Sequence, residues 1–292
     1  MMITIEEALA TGRGTWRSFS CPVHQDTNPS ARVNIESGAW VCMTCGAKGR
    51  AEHYQPDPDL LLDAAIAGLD RIDGRQFYAE SWLDQFDGGG DEPGDYWLSR
   101  FTREACAKHR MGWDYAKGRA VYPFRDDAGQ VLGMVERALP GERPKYRYPS
   151  GVDASQHLFG YHRHLPAFGG RMPNVAIMVE GAPDAVAVTE IEDTLDDLGE
   201  DVTTLALGCY GKVLHPQQVV LLMRLRIELV VVAFNGDEWG RKGQHAALRE
   251  LGMLGIQSAG ANLPAGKDLA ELPAQTRAKI LTEGLTHYDT IE

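Results

Sequence analysis

Two spacings of apolar residues divide this chain of 292 residues. Up to about residue 52, apolar and polar positions alternate, as in Ala31-Arg32-Val33-Asn34-Ile35 and then Trp40-Val41-Cys42. That period predicts short antiparallel strands with one buried face. From Val175 onward the apolar residues come instead in short unbroken runs, VAIMV, TTLALG and LVVVAFN, separated by helix-like stretches over 183–190, 216–226 and 241–251, the first two opening on Pro. Runs of that length ending in turn residues read as strands buried on both faces, and their alternation with helices predicts a parallel sheet. IQSAGANLP adds a fourth strand-like piece, and a last helix is expected from about Leu269. From Tyr96 to 172, a helix over 97–109 followed by VYPF, VLGMVERAL and KYRYP predicts an α+β unit. The stretch 53–95 holds PDPD, a helix-like LLLDAAIAGLDRI, a second amphipathic piece at 77–86 and the run DGGGDEPGD. Its glycines, prolines and like charges predict an acidic linker or helical segment. The expected fold class is therefore a multidomain α+β and α/β chain: a β-rich unit over 1–52, the linker over 53–95, an α+β subdomain over 96–172 and a parallel-sheet domain over 173–292.

Composition narrows the function. Hydrophobic residues make up 43% and charged residues 24%, ordinary values for a globular chain. No apolar run reaches the length of a membrane span, and the opening MMITIEEALATGRG reads as a cytosolic helix end rather than a signal peptide, so a cytoplasmic location is expected. The net charge of −12 argues against tight binding of duplex by charge alone. The charge is uneven, however. Residues 97–171 carry thirteen Lys and Arg against seven Asp and Glu, a net +6 that leaves −18 for the rest. A basic middle in an acidic protein suits a channel for a polyanion, although arginines on a solvated face would give the same count. No phosphate-binding loop of the GxxxxGK[ST] type and no GxGxxG fingerprint occurs, which argues against a helicase or dinucleotide-binding domain.

Five cysteines without a secretion signal point to metal rather than disulfides. In CPVHQDTNPS, Cys21 and His24 stand two residues apart; in WVCMTCGAKG, Cys42 and Cys45 do the same, with Gly46 free to make the tight turn. Two such knuckles separated by a short strand-rich loop suit a closed, structural Zn²⁺ site. Cys106 and Cys209 have no partner pattern and are expected in the core. Trp16, Arg17, Arg32, Trp40 and Lys48 are available on this unit for nucleic acid, each equally readable as packing or surface.

Three acids close strand-like runs in the second half: Glu180 after VAIMV, Asp237 after VVVAFNG and Asp268 after ANLPAGK. In a parallel sheet they converge at one edge, where carboxylates suggest Mg²⁺ or Mn²⁺ and phosphoryl chemistry. Acids in such places also serve as plain helix caps, and spacing alone leaves both readings open. Here the residues resemble a family. VEGAPDAVAV resembles the Glu-Gly motif of Toprim domains, AFNGDEWGRKG their F-D-x-D-x-x-G motif, and LPAGKDLAEL the third acidic motif of replicative primases. CPVHQDTNPS with VCMTCGAKG is similar to the primase zinc ribbon, and VYPFRDDAGQVLGMVERAL, PKYRYPSGV and HLFGYHR resemble the catalytic core that precedes Toprim in DnaG-type bacterial and phage primases. The motifs follow the family's order and cover nearly the whole chain except 53–95.

The resemblance implies a template-dependent RNA polymerase that starts primers de novo on single-stranded DNA from nucleoside triphosphates; with no fused helicase motif in the sequence, a stand-alone, phage-type arrangement beside a separate replicative helicase is expected. It implies that Glu180, Asp184, Asp237 and Asp268 are catalytic, that Glu180, Asp237, Asp268 and position 235 hold Mg²⁺ or Mn²⁺, and that Arg137, Lys145, Tyr146 and Arg147 contact template and nucleotide phosphates. The chain departs from the pattern at two places. Asn235 stands where the motif has its first Asp, and Ala270 where many members carry a further acid after Asp268. An amide keeps one oxygen ligand and loses a full charge, which weakens a hard divalent ion's site. An inactivating substitution and a naturally weakened relative both account for Asn235. A non-catalytic single-stranded-DNA-binding or primosome module with a primase fold is the alternative function, and a Toprim nuclease or topoisomerase relative fits less well because of PKYRYPS.

Overall fold

The computed structural model describes residues 4–10, 16–24, 29–34, 38–42, 44–51, 77–86, 93–138 and 141–286. They fall into two compact units, Met1–Gly74 and Arg75–Glu292. PDPD, the helix-like LLLDAAIAGLDRI and the glycine run at 87–92 lie outside the described residues.

In the first unit, helix α1 (Ile5–Ala10) accompanies four strands, β1 (Trp16–Phe19), β2 (Ala31–Asn34), β3 (Ala39–Cys42) and β4 (Lys48–Arg50). They pair antiparallel in the order β1-β2-β3-β4. The alternation read in the sequence is the reason. It sends Ala31, Val33 and Cys42 inward to meet Phe19 and Ala8, while Trp40 packs edge-on to Phe19 at 5.7 Å. A core this small gives little folding energy, which is the usual situation of a unit completed by metal.

The second unit contains two four-stranded sheets. One is antiparallel: β5 (Gly112–Asp114), β6 (Arg119–Arg125), β7 (Val131–Arg137) and β8 (Tyr146–Arg147). The other is parallel in the order β10-β9-β11-β12, from β9 (Val175–Val179), β10 (Thr204–Gly208), β11 (Leu229–Val232) and β12 (Ser258–Gly260). Val175, Ile177, Val179 and Val231 belong to one core, with Trp97, Tyr122, Phe124 and the helix Ala182–Thr189. Ala176, Met178, Val230 and Val232 belong to another, with residues of the helices Pro216–Arg224 and Glu238–Met253. Both faces of the central strands are covered, so their sequences need no polar alternation. A backbone bridge fixes the HLFGYHR segment to the edge of β10: Phe159 N–H donates to Gly208 O at 2.8 Å and Gly208 N–H to Phe159 O at 3.0 Å.

Two local expectations need correction. The helix read over 97–109 is two helices, Pro93–Leu98 and Arg103–Lys108. Thr102 is the cause: it is extended (φ −64°, ψ 151°) and its hydroxyl accepts from Ala105 N–H at 3.3 Å, so it starts a new helix instead of continuing the old one. The amphipathic piece at 77–86 forms a 3-10 helix, Glu80–Gln85. It packs on the antiparallel sheet, with Tyr78 paired to Val131, Leu83 buried, and both oxygens of Glu80 bound by Arg125 at 2.8 Å.

A buried ion pair ties the parallel sheet to the helix beside it. Arg163 grips both oxygens of Glu192 at 2.8 and 2.6 Å, and Glu192 also accepts the β10 N–H of Ala206 at 2.9 Å. Removing one partner leaves a buried charge alone, so Arg163→Met is expected to cost about 3 kcal/mol in urea unfolding. Arg171 on Asp196 sets the contrast, since this arginine is 70% exposed and Asp196 keeps its bonds from Thr204: Arg171→Met should cost less than about 1 kcal/mol. Equal costs would contradict this assignment.

Candidate functional site

In the first unit the two knuckles bring their side chains together. The ligand atoms of Cys21, His24, Cys42 and Cys45 all lie within 4.8 Å of one another. Cys21 Sγ and Cys45 Sγ are 3.7 Å apart, and Cys42 Sγ is 4.0 Å from His24 Nδ1. A tetrahedral Zn²⁺ with bonds of about 2.3 Å to sulfur requires sulfur–sulfur edges of about 3.8 Å, so the set fits zinc. The knuckle backbones are shaped for thiolates. Thr44 and Cys45 N–H donate to Cys42 Sγ at 3.3 and 3.4 Å, and Val23 N–H donates to Cys21 Sγ at 3.4 Å. Burial pushes the Cys42 thiol up, but the Cys45 and Thr44 N–H groups and the Ser30 hydroxyl outweigh it and bring it to about 6. All four positions of such a site are filled by protein, which leaves it structural.

In the second unit the acids gather at the carboxyl end of the parallel sheet. Glu180 directly follows β9, Asp184 lies in the first turn of Ala182–Thr189, Asp237 caps Glu238–Met253, and Asp268 caps the 3-10 helix Leu269–Glu271. Each has one oxygen held by a backbone N–H. Asn235 N–H donates to Glu180 Oε1 at 2.9 Å, Ala270 to Asp184 Oδ1 at 3.2 Å, Gly240 to Asp237 Oδ1 at 2.6 Å and Glu271 to Asp268 Oδ1 at 2.9 Å. The second oxygens of Asp237 and Glu180 face Lys212, whose ammonium is 2.8 Å from Asp237 Oδ2 and 4.0 Å from Glu180 Oε2. Among the described residues the second oxygens of Asp184 and Asp268 take no hydrogen bond, and neither does the side-chain amide of Asn235. The four carboxylates do not close into a cage with donor atoms within 4.8 Å, as the ribbon ligands do. Carboxylates at wider spacing suit a hard divalent cation that keeps waters and takes substrate oxygens.

Crowding of negative charge shows in the proton affinities. Burial pushes Asp184 up to about 7, and Asp268 and Glu180 add to this while Lys145 opposes it. Glu180 is raised by burial and by Asp237 and Asp268, against the Asn235 N–H and Lys212. Asp268 is raised by burial and Glu271, with Arg100 and Lys145 opposing. Asp237 alone goes down, because Lys212 and the Gly240 N–H stabilise its anion.

The basic positions divide into two kinds. Lys145 and Arg147 are exposed, as is Arg143, and none has an ion pair among the described residues. Arg137 is half-buried and occupied: its Nε donates to the Tyr96 hydroxyl at 2.5 Å, its Nη1 donates to the Tyr146 hydroxyl, and its guanidinium lies 5.3 Å from the Tyr146 ring centre. It therefore orients Tyr146. Part of the +6 of this segment is balanced by acids outside it: Arg110 pairs with Asp84, Arg125 with Glu80 and Arg163 with Glu192. Sequence reasoning missed Lys212 and Arg100. Lys212 had a signal, since it follows TLALGCYG at a strand end as Glu180 follows VAIMV. Arg100 had none, being distant in sequence from the Asp268 that it balances.

Two outcomes follow from this geometry. The chain should hold one Zn²⁺, and Cys45→Ser should lose it; elemental analysis finding equal zinc in both proteins would contradict the assignment. The second concerns pH. Asp184 titrates near 3.8 when unfolded and about 7 when folded, so protonation favours the fold. That contribution is complete below about pH 4 and is lost as pH rises to about 7. Relative to the parent, Asp184→Asn should therefore gain on the order of 2 kcal/mol between pH 4 and pH 8, without added divalent ions. A pH-independent difference in the urea midpoint would refute it.

No protein-family model matches the chain. The DNA primase of Deinococcus radiodurans is 23% identical over 318 aligned positions, covering 89% of this chain and 53% of the relative. The DNA primase of Synechococcus elongatus is 32% identical over 167 positions, 54% of this chain and 22% of the relative. The chain thus spans about half the length, or less, of these curated relatives. Among solved structures, the zinc-binding and RNA polymerase domains of Aquifex aeolicus primase superpose with a TM-score of 0.56 at 19% identity, over 97% of this chain and 82% of that one. The RNA polymerase domain of Mycobacterium tuberculosis primase DnaG gives 0.52 at 21% identity, over 79% and 84%. This chain has the fold of the zinc-binding and RNA polymerase domains of DnaG-type DNA primases and is similar to those primases in sequence.

Proposed function

We propose that the chain is a DNA primase, a DNA-directed RNA polymerase that makes short RNA primers on single-stranded DNA by metal-dependent nucleotidyl transfer. The observation that carries this reading is the arrangement of the acids: four carboxylates follow the strand ends of the parallel sheet, one oxygen of each fixed by a backbone N–H, with the second oxygens of Glu180 and Asp237 facing Lys212 and those of Asp184 and Asp268 taking no hydrogen bond among the described residues. The exposed cations of 143–147 complement it, with Lys145 close enough to lower the proton affinity of both Asp184 and Asp268. A structure described as a DnaG primase catalytic domain bound to single-stranded DNA has the same fold, with a TM-score of 0.55 at 19% identity. In the proposed division, 1–52 is the zinc ribbon, 53–95 the acidic linker, 96–172 the basic subdomain and 173–292 the Toprim domain. The protein is proposed to work in the cytoplasm beside a replicative helicase.

In this reading Glu180, Asp237, Asp268 and the Asn235 amide oxygen hold Mg²⁺ or Mn²⁺. A divalent ion there supplies charge neutralisation of the triphosphate and a lower pKa for the attacking 3′-hydroxyl. The chain's own contributions are positional. Lys145 and Arg147 hold phosphates by charge, Tyr146 is set in place by Arg137, and Asp184, held by the Ala270 N–H, adds negative charge beside Glu180 and Asp268. Asn235 favours the second reading, a non-catalytic single-stranded-DNA-binding module, because the amide removes one charge from the mouth.

Primer synthesis on a single-stranded template with Mn²⁺ distinguishes the two. Asn235→Asp should raise the rate at least about tenfold and Glu180→Gln should abolish it. No synthesis by the parent and by Asn235→Asp, with binding of single-stranded DNA intact, would establish the non-catalytic reading. Lys145→Ala with Arg147→Ala should weaken DNA binding and flatten its salt dependence; unchanged binding would remove these residues from the interface.

A further inference from the structure

The proposed function leaves Lys212 without a role, yet the backbone around it is built to bring it to the acids. It lies in the loop after β10, two residues beyond Tyr210, whose φ of +56° turns the chain back. Gly211 N–H donates to the carbonyl of Glu180 itself at 2.9 Å, so the loop is tied to the residue that its lysine faces. From the other side, helix Glu238–Met253 packs directly on the Lys212 carbonyl. A Cβ on Gly243 would lie 2.2 Å from that oxygen, too close for any side chain. One turn earlier, a Cβ on Gly240 would lie 2.1 Å from Asn235 O and 2.8 Å from Glu180 Oε1. These two glycines let the helix capped by Asp237 sit against both Glu180 and Lys212. The ammonium then lies 2.8 Å from Asp237 and 4.0 Å from Glu180. By contrast, Lys242 on the same helix pairs with Glu238 at 2.7 Å and lies over the Trp239 ring, away from the mouth.

We propose that Lys212 is a built-in cation of the acidic centre: its ammonium occupies the position between Glu180 and Asp237 and competes there with a divalent metal ion. This rests on the metal reading of that centre and adds a determinant of its affinity. It also gives Asn235 a physical context. A monovalent ammonium already balances part of the charge at the mouth, so the carboxylate missing at position 235 leaves the local charge less unbalanced than the acids alone imply. Two like charges within a few ångströms repel strongly even when screened, so removing the ammonium should tighten divalent binding.

The test is a Mn²⁺ titration of the full, zinc-loaded chain, read by the electron paramagnetic resonance of free Mn²⁺. Lys212→Met is expected to bind Mn²⁺ at least about tenfold more tightly than the parent, and Lys212→Gln to follow it. Lys242→Met should stay within about twofold of the parent, because its charge is held elsewhere. Unfolding midpoints confirm that each variant is folded. Unchanged or weaker Mn²⁺ binding in both Lys212 variants would overturn the proposal. Glu180→Gln separates that failure from a failure of the underlying reading. If it weakens Mn²⁺ binding while the Lys212 variants change nothing, the metal centre stands and only the role of the lysine falls. If Glu180→Gln also changes nothing, the centre itself is wrong.

Discussion

Each acid at the mouth of the parallel sheet spends one oxygen on a backbone N–H, and the rest of the site depends on that constraint. A half-buried carboxylate pays for desolvation unless something stabilises its charge. Here the stabilising donors come from the next strand end, a helix N-terminus, a 3-10 turn and the Ala270 N–H, so the positions of the acids are set by the backbone of the fold. The N–H of Asn235 that reaches Glu180 joins the ends of β11 and β9, which are neighbours in the sheet. One oxygen is fixed in direction and the other is left to act. Burial first, and neighbouring negative charge second, raises Glu180, Asp184 and Asp268, while Lys212, Lys145 and Arg100 oppose it.

That constraint explains which residue types the chain can carry nearby. Ala270, where the resemblance leads one to expect a further acid, serves through its backbone: its N–H holds Asp184. Gly240 and Gly243 permit a helix to approach within contact of the Asn235 and Lys212 carbonyls. Asn235 preserves the N–H that holds Glu180, since any residue but proline supplies one; what it changes is the side-chain charge facing the mouth.

Much of the fold was legible in the sequence because it depends on local periodicity. The unbroken runs VAIMV and TLALG and the Cys-x-x-His and Cys-x-x-Cys knuckles mark strands and ligands within a few residues of one another. The helix at 97–109 was misread because Trp97, Phe101 and Ala105 keep a helical spacing across the break, while the interruption rests on the single hydroxyl of Thr102. The acids were legible as strand-end residues. Their counterions were not, because pairings such as Lys212 with Asp237 or Arg100 with Asp268 join segments far apart in the chain. For the same reason the +6 of the middle segment overstated its free charge: Arg125 and Arg163 are consumed by acids that no local pattern connects to them.

The metal site proposed at the mouth of the parallel sheet rests on Glu180, Asp237 and Asp268 holding a divalent cation. Anomalous diffraction from crystals soaked in Mn²⁺ tests it directly. A Mn²⁺ peak is expected about 2.0–2.4 Å from oxygens of Glu180, Asp237 or Asp268, with Lys212 displaced from Asp237. Crystals that show zinc on Cys21, His24, Cys42 and Cys45, no Mn²⁺ at the acids and the Lys212–Asp237 pair intact would contradict it.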